Sequence, residues 1–428
     1  MSKFDLVVFG ATGFTGRKVV EELARGSKKY AGITWAVAGR TEKKLETVLQ
    51  EVSKKTGADL SGVKTIIADV GDNDSLKGMC AQAKVLVNAC GPYRMYGEPV
   101  VRAAIASKAH YVDVSGEPQF IETMQLEYGA QAREAGVFVV SACGFDSVPN
   151  DMGVLYLEQN FGGTLNSVES YISSVIAPEY AWDAFWYGSI NYGTWESLVY
   201  SLAYIDELAP LRKKLFPTPL PPLKPKLPTR SAPHREHGRW CLPFLGADNS
   251  IVYRTQRQLY ETENKRPVQF RAYIKFPSLL YVAMLYFFGT FIVLFSKWNF
   301  TRQWLLNYPR LFSGGMVTRQ GPPQHVMDNT KFQFKLIGRG WSAGQDVEGT
   351  RPEKTLVAKV SGRDPGYGFT AFALVQCALT MLRERDSMPK EGGVMTTGVA
   401  FQKTNLIKNL QNSDFDVKFE LFESNESK

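Results

Sequence analysis

The stretch that decides the fold is FDLVVFGATGFTGRKVVEELAR, residues 4–25. A short apolar run, Phe4–Phe9, leads directly into a turn with glycine at positions 10, 13 and 16, and a helix-favouring stretch follows. Glycine permits a sharp turn at the first position, close approach of the backbone to a pyrophosphate at the second, and tight helix–strand packing at the third. The N-terminus of the helix then faces the anion. Because GxxGxxG also fits an ordinary strand–helix turn, its context decides between the two interpretations.

Short apolar strands alternate with helical stretches through the first 150 residues. We expect six strands, at Phe4–Phe9, Thr34–Ala38, Val63–Ala68, Lys84–Ala89, His110–Val114 and Val137–Ala142. Most are continuously apolar, as strands covered on both faces are, and helical stretches such as Glu42–Lys55 lie between them. The alternation predicts an α/β fold with a Rossmann-type, doubly wound parallel sheet that carries the glycine-rich turn on its first strand.

The end of the second strand, Ala38-Gly39-Arg40, indicates which dinucleotide binds. NAD enzymes usually have an acidic residue here, whereas Arg40 can pair with a 2′-phosphate, although a solvated surface arginine is the plainer alternative. The pattern therefore favours NADP(H) over NAD(H). Further contacts are expected where the third and fourth strands end, at the sheet edge that binds ligands. The predicted cofactor residues are Gly10, Ala11, Thr12, Gly13, Phe14, Thr15, Gly16, Arg17, Arg40, Asp69, Asn88, Gly91 and Pro92.

Longer motifs in this chain resemble the saccharopine dehydrogenase-like oxidoreductase family, in particular its membrane- and lipid-droplet-associated animal branch. The matching stretches are VVFGATGFTG (7–16), AVAGR (36–40), GPYRMYGEPVV (91–101), YVDVSGEPQF (111–120), GFDSVPNDMG (144–153), RTQRQLY (254–260) and GGVMTTGVAF (392–401). The resemblance implies a nucleotide-binding domain completed by the C-terminal end of the chain, with a substrate or dimerisation domain inserted. It also implies association with lipid droplets or membranes, and distant bacterial relatives resemble enoyl reductases of glycolipid synthesis.

The basic excess of the chain is concentrated in one region. The 428 residues carry a formal net charge of +8, but residues 211–275 hold 14 Lys and Arg against 4 Asp and Glu, and residues 276–320 add 4 basic residues and no acid. Within this region, residues 276–296 form an uncharged run, FPSLLYVAMLYFFGTFIVLFS, which is long enough to span a bilayer as a helix. A buried core helix is the alternative. The flanking charge indicates an anionic phospholipid surface rather than nucleic acid.

The sequence predicts three domains, with the apolar segment in the second. We predict a nucleotide-binding domain at 1–150, a substrate or dimerisation domain at 151–390, and a C-terminal segment at 391–428 that packs on the first domain. A proline-rich loop at 216–233 and the apolar segment at 276–296 belong to the second domain, an inserted α+β unit. Since residues after 297 complete the fold, we expect a hairpin or in-plane insertion with both flanks on the cytosolic side. The expected location is the lipid droplet or the endoplasmic reticulum membrane.

Catalytic groups are the least determined part of the sequence. Tyr93 and Tyr96 are candidate proton or hydrogen-bond donors, and Asp146 either positions the substrate or caps the following helix. Asp113 and Glu117 are expected to pair structurally with Arg94. Five scattered cysteines and four histidines form no metal-binding pattern, so no metal is predicted.

Two functions fit these features. The first is an NADPH-dependent reductase of an enoyl or carbonyl group on a hydrophobic, membrane-borne substrate. The second is a nucleotide-binding lipid-droplet scaffold or sensor with little or no turnover. Both allow a homodimer.

Overall fold

The computed structural model describes residues 3–26, 29–145 and 147–423. The strands are β1 Phe4–Phe9, β2 Trp35–Gly39, β3 Lys64–Ile67, β4 Ala83–Asn88, β5 His110–Asp113, β6 Phe138–Val140, β7 Gly163–Ile176, β8 Ile190–Asn191, β9 His234–Glu236, β10 Arg239–Pro243, β11 Gln269–Phe276, β12 Val317–Thr318, β13 Thr330–Ser342, β14 Lys354–Arg363, β15 Gly393–Met395 and β16 Lys418–Glu423. The helices are α1 Phe14–Arg25, α2 Glu42–Thr56, α3 Asn73–Cys80, α4 Tyr93–Ala106, α5 Pro118–Glu134, α6 Val148–Gln159, α7 Ala181–Tyr187, α8 Tyr192–Ala203, α9 Leu208–Leu215, α10 Asp248–Glu263, α11 Leu279–Lys297, α12 Asn299–Asn307, α13 Pro309–Phe312, α14 Gln324–Asp328, α15 Thr370–Arg383, α16 Thr397–Phe401 and α17 Leu406–Gln411.

The first sheet is parallel throughout and has the strand order β15-β6-β5-β4-β1-β2-β3. All six strands predicted from the apolar runs are present, each shifted by no more than a few residues at its ends. The central strands are buried on both faces, as Leu6, Val7 and Val8 show, because helices cover the sheet on either side. The α/β prediction with a Rossmann-type sheet is confirmed.

The second sheet is mixed and has the order β16-β14-β13-β7-β11-β10-β9. Its only parallel pair in the described chain is β7 with β11, and the other neighbours are antiparallel. The proline-rich residues 216–233 contain no helix or strand and lie along this sheet, where the Pro225 carbonyl accepts from the side chains of Asn166 and Gln269.

The C-terminal part of the chain is shared between the two sheets. Strand β15 joins the first sheet, as expected, but β16 instead pairs with β14 of the second sheet. Helix α15 precedes residue 391 and yet packs against α1 and β4 of the first sheet. The order of residues along the chain therefore does not separate the two sheets with their helices. After residue 364, α15 and β15 return to the first sheet, and β16 then joins the second.

The apolar segment forms one continuous helix rather than a hairpin. Phe276 is still part of β11, and α11 runs from Leu279 to Lys297, a length of roughly 28 Å at 1.5 Å per residue. Residues 283–287 are exposed in succession, and this half of the helix contacts the protein through buried Val282 and through the Tyr286 hydroxyl, which donates to the Ala232 carbonyl at 3.4 Å. The C-terminal half packs on α8 and α12. The interpretation as a buried core helix is wrong for this segment.

Candidate functional site: the glycine-rich turn and helix α8

The glycine-rich turn has the shape required to receive a pyrophosphate. Gly10 adopts φ +79°, and a Cβ atom there would meet the Ala89 carbonyl carbon and the Cys90 nitrogen at 2.9 Å. A Cβ on Gly16 would lie 2.1 Å from the Gly10 oxygen. Helix α1 begins at Phe14 with no acidic side chain in its first turn, so its amides face an anion site without internal competition. The turn therefore accommodates a dinucleotide only because these positions are glycine.

Two arginines flank this turn, and they are placed differently. Arg40 follows β2 directly and is exposed. Burial raises the pKa of the Cys90 thiol to about 11, and the nearby Arg40 charge opposes that rise. Arg17, which was predicted to bind the cofactor, is instead paired with Glu51 and donates to the Thr12 carbonyl at 3.3 Å. Arg40 is thus the cation that is available for a 2′-phosphate at the end of β2.

Asp69, the predicted contact after β3, makes a local turn. Its side chain accepts a hydrogen bond of 2.9 Å from the Gly71 amide, and the residue is half-buried. It also lies close enough to Cys90 to raise the pKa of that thiol. Asp69 therefore lies on the same side of the sheet edge as Arg40 and Cys90.

The turn after β4 is held by buried polar side chains. Asn88 is fully buried; its amide donates to the Tyr111 hydroxyl at 2.9 Å, and its oxygen accepts from the Cys90 amide at 3.0 Å. The Tyr93 hydroxyl donates to the Asn88 carbonyl at 2.9 Å and accepts from the Val114 amide at 3.4 Å. Burial raises the pKa of Tyr93 well above its usual range. The prediction that Tyr93 donates a proton to substrate is wrong, because its hydroxyl is enclosed and already bonded.

Glu117 caps the helix that follows this turn. The Glu117 carboxylate accepts from the backbone amides of Tyr93 at 3.0 Å and Arg94 at 2.8 Å, and from the Ser197 hydroxyl at 2.7 Å. An anion at a helix N-terminus is favoured by the helix dipole. The expected pairing of Glu117 with the Arg94 side chain is wrong, since that guanidinium binds Glu207 at 2.7 and 2.9 Å.

Asp113 is structural, and burial shifts its pKa upward. It is fully buried and accepts from the Ser115 and Ala142 amides and the Ser141 hydroxyl. Burial raises its pKa to about 6 despite these bonds. The expected pairing of Asp113 with Arg94 is not formed, because its bonds hold the β5–β6 turn.

Of the other two catalytic candidates, Tyr96 and Asp146, the structure describes Tyr96. Tyr96 is half-buried on α4 and lies near enough to Tyr200 of α8 to act on its pKa. Asp146 lies outside the described residues, while Gly91 is exposed and Pro92 immediately precedes α4.

Helix α8 crosses the space between the glycine-rich turn and the start of α4. At its beginning, the Asn191 amide donates to the Tyr367 hydroxyl at 2.5 Å, and the Tyr367 ring meets the Phe14 ring edge-on at 4.7 Å. Further along, Ser197 binds Glu117. Helix α8 is not among the elements predicted from the sequence. Its signal was the spacing of Tyr192, Glu196 and Tyr200 at i, i+4 and i+8.

The opposite side of α8 rests on the apolar helices. Trp195 and Val199 are buried against Leu305 and Leu306 of α12 and against α11, and the Trp195 indole donates to the Leu305 carbonyl at 2.9 Å. Helix α8 thus contacts the cofactor-binding turns on one side and the apolar segment on the other.

Exposed apolar side chains of α7, α11, α12 and α13 form what we call the apolar surface. Besides α11, its exposed members are Trp182, Phe185, Trp186, Tyr187, Phe300, Trp304 and Leu311. Helix α13 joins the parts, since Phe312 contacts Phe295 of α11 at 5.7 Å and Arg310 lies 6.0 Å from the Trp186 ring of α7. Among the described residues, two helices are long and apolar enough to span a membrane; Pro365–Arg383 is 89% buried, whereas Leu279–Lys297 is 11% buried.

Comparison with known proteins identifies the family. Residues 6–140 match the family model "Saccharopine dehydrogenase NADP binding domain". A saccharopine dehydrogenase-like oxidoreductase of Mus musculus is 41% identical over 99% of this chain and 98% of its own. The chain belongs to the saccharopine dehydrogenase-like oxidoreductase family. It carries the NADP-binding domain of that family, which confirms the NADP(H) prediction.

Other members of the saccharopine dehydrogenase-like family and one solved structure extend the comparison. The "Lipid droplet localized protein" of Caenorhabditis elegans is 40% identical over 98% of this chain and 99% of its own. A Mycobacterium tuberculosis protein named as a candidate trans-acting enoyl reductase is 27% identical over 93% of both chains. Apo saccharopine dehydrogenase (L-Glu forming) of Saccharomyces cerevisiae has a TM-score of 0.54 at 17% identity, covering 97% of this chain and 99% of that one, which shows a shared fold.

Proposed function

We propose that this protein is an NADPH-dependent oxidoreductase that reduces an enoyl or carbonyl group of a hydrophobic substrate at a phospholipid surface. The observation that carries the proposal is the position of α8. The residue before it, Asn191, bonds Tyr367, whose ring contacts Phe14 beside the glycine-rich turn, and its Ser197 bonds Glu117 at the start of α4. Its Trp195 contacts the apolar helices. A substrate held beside α8 is therefore close to both the reducing cofactor and a lipid phase. A water-soluble substrate would gain nothing from this arrangement.

The apolar surface supports docking to one phospholipid leaflet. Strands β11 and β13, which precede and follow α11, both belong to the second sheet, so both flanks of the helix lie on one side of a membrane. Exposed Trp and Tyr side chains suit the interface, and Arg302 and Arg310 suit anionic headgroups. The lipid-droplet name of the worm relative agrees with a monolayer or with the cytosolic face of the endoplasmic reticulum.

The reducible group of the substrate follows from the chemistry that the cofactor supplies. Bound NADPH provides a hydride for a polarised C=O or conjugated C=C bond. The enoyl reductase name of the distant mycobacterial relative favours an unsaturated lipid as the substrate class. In this scheme the protein supplies the pocket shape and the proton.

Membrane docking is tested by flotation with phosphatidylcholine vesicles containing phosphatidylserine. Leu280→Asp and Phe287→Asp place a charge on the N-terminal half of α11, where these residues are 67% and 61% exposed. Each should lower vesicle binding by roughly tenfold or more, because a charge at this depth costs several kcal/mol. The matched control is Leu245→Asp, which is 81% exposed beside the end of β10 farthest from α11. Equal vesicle binding by all three variants would contradict the docking proposal.

Turnover is tested separately with NADPH and a total lipid extract of lipid droplets. The reductase predicts lipid-dependent NADPH oxidation, and it predicts that the two α11 variants lose this activity on vesicle-bound substrate but retain NADPH binding. Tight NADPH binding with no oxidation by any lipid fraction would instead support the nucleotide-binding scaffold or sensor.

A further inference from the structure

Two half-buried polar residues of α8, Tyr192 and Glu196, lie beside the exposed Arg319 and form a polar cluster with it. Tyr192 and Glu196 lie one helical turn apart on the same face, and Arg319 places its guanidinium 4.6 Å from the Tyr192 ring centroid. The Tyr192 phenol and the Glu196 carboxyl are close enough to influence each other's pKa. The cluster thus combines a phenol, a carboxyl and a guanidinium.

The position of the cluster follows from the neighbours of α8. Asn191, which precedes it, lies beside the glycine-rich turn, because a Cβ on Gly321 would meet both the Phe14 ring at 2.8 Å and the Asn191 amide nitrogen at 2.9 Å. Ser197, which follows it, binds the Glu117 carboxylate at the start of α4. Along α8 the cluster therefore lies between a residue that neighbours Phe14 and a residue that binds Glu117, and Glu196 is close enough to the Glu117 carboxylate for that charge to raise its pKa.

We propose that Tyr192 and Arg319 bind the oxyanion that develops on the substrate during reduction, and that Glu196 restores the proton that Tyr192 gives up. This inference rests on the proposed reductase function and names the proton donor of that same site. Tyr93, the first donor candidate from the sequence, cannot fill this role because its hydroxyl is enclosed.

The electron and proton balance of the step is complete. The substrate carbon receives a hydride, with two electrons, from the reduced nicotinamide, which becomes oxidised. The π pair of the C=O bond, or of the conjugated system of an enone, moves to the oxygen, and a new O–H bond forms with the Tyr192 proton. The tyrosinate then takes the carboxyl proton of Glu196, which solvent replaces. The substrate is reduced by two electrons and gains one hydride and one proton.

The electrostatics of the cluster fit these roles. Burial raises the pKa of Tyr192, and Glu196 adds to this rise, so the phenol holds its proton until an oxyanion forms beside it. Burial also raises the pKa of Glu196, whereas the Arg319 charge opposes that rise. A carboxyl group that is more readily protonated is a suitable proton source for the tyrosinate. The Arg319 charge stabilises negative charge on either oxygen.

The test uses a chromophoric oxyanion mimic, because it needs no knowledge of the substrate. The probe is 2-octyl-4-nitrophenol in phosphatidylcholine vesicles, added to the full chain saturated with NADP⁺, and its visible phenolate band reports its ionisation. An oxyanion site lowers the pKa of the bound phenol below that of the probe in vesicles alone. An apolar site without donors raises it instead, so the direction of the shift distinguishes the two.

The variants assign the shift to residues. Tyr192→Phe and Arg319→Gln should each weaken phenolate binding by about tenfold and remove most of the pKa lowering. Glu196→Gln should strengthen phenolate binding, because it removes a nearby carboxyl. Tyr253→Phe, an exposed tyrosine on α10, is the matched control and should behave as wild type. All variants should retain NADPH affinity within about twofold, as measured by nucleotide fluorescence, because the cluster does not contact the phosphates.

Failure of this inference is distinct from failure of the proposed function. A wild-type protein that binds NADP⁺ but does not lower the pKa of the probe overturns the oxyanion site and leaves the reductase proposal standing. The same holds if Tyr192→Phe and Tyr253→Phe give equal shifts. Absence of NADPH binding by the wild type would overturn the reductase itself.

Discussion

Replacing Glu117 with glutamine should loosen the start of α4 and the cofactor-binding turn before it. The carboxylate accepts three hydrogen bonds, of 3.0, 2.8 and 2.7 Å, and it is 2% exposed. Bonds to a charged acceptor contribute roughly 1.5–3 kcal/mol each and neutral ones about 1 kcal/mol. Glutamine keeps one acceptor oxygen, presents an NH₂ group to the remaining donor, and loses the favourable interaction with the helix dipole. We therefore expect a local destabilisation of about 3 kcal/mol.

Hydrogen exchange measures this loss where it occurs. The peptide covering residues 91–100 should exchange roughly a hundredfold faster in Glu117→Gln, the rate equivalent of about 3 kcal/mol. NADPH affinity should also fall several-fold. The control is Glu98→Gln, the same substitution at an exposed residue of the same helix, where the carboxyl accepts only from Tyr128 at 2.8 Å. If both variants exchange at the wild-type rate, Glu117 does not hold the start of α4 as the hydrogen bonds indicate.

Three further predictions concern the nucleotide-binding layer. Arg40→Ala should weaken NADPH binding by about tenfold or more and leave NADH binding within about twofold, because it removes only the partner of the 2′-phosphate; equal losses for both nucleotides would contradict this role. Gly16→Ala should weaken NADPH binding by at least about tenfold, since the new Cβ would lie 2.1 Å from the Gly10 oxygen, whereas Gly62→Ala, where no atom lies within 4 Å, should bind normally. The pKa of Asp113 is raised from 3.8 to about 6, so its contribution to stability is fully present below pH 4 and is lost as the pH rises through 6. In thermal unfolding, wild type should therefore lose about 3 kcal/mol relative to Asp113→Asn between pH 4 and 7, and a difference that does not change with pH would refute the assignment.

The parallel sheet was predictable because its signals are local. A strand covered on both faces must be continuously apolar, and a dinucleotide turn must have glycine at Gly10 and Gly16, whatever the rest of the chain does. The exposed apolar helix was predictable for a similar reason, since a long uncharged run is typical of a helix that enters a membrane. The residue at which this helix begins was less predictable, because an apolar residue such as Phe276 fits a strand as well as a helix.

The side-chain partners in the site were not predictable from the sequence. The Tyr93 hydroxyl is enclosed only because the ends of β4 and β5 place Asn88 and Val114 around it, and no local pattern records such contacts. The basic residues 211–320 illustrate the same limit. Arg212 binds buried Glu122 of the first layer, and Arg230 binds buried Glu169, so part of the positive charge is neutralised within the fold. Counting charges along the chain cannot reveal pairing between distant segments.

Helix α8 shows why the site and the apolar surface were separate in the sequence and are joined in the structure. Its 12 residues place Trp195 and Val199 toward α11 and α12, with Tyr192 packed against the same apolar cluster. Ser197 lies toward Glu117, and Glu196 lies between these two sides. Such a helix has no single apolar stripe, because each of its sides contacts a different partner. A helix with a polar cluster between an apolar side and a cofactor-facing side cannot move toward the lipid without moving that cluster. Docking at the membrane and the position of the proton donor are therefore coupled through one rigid element.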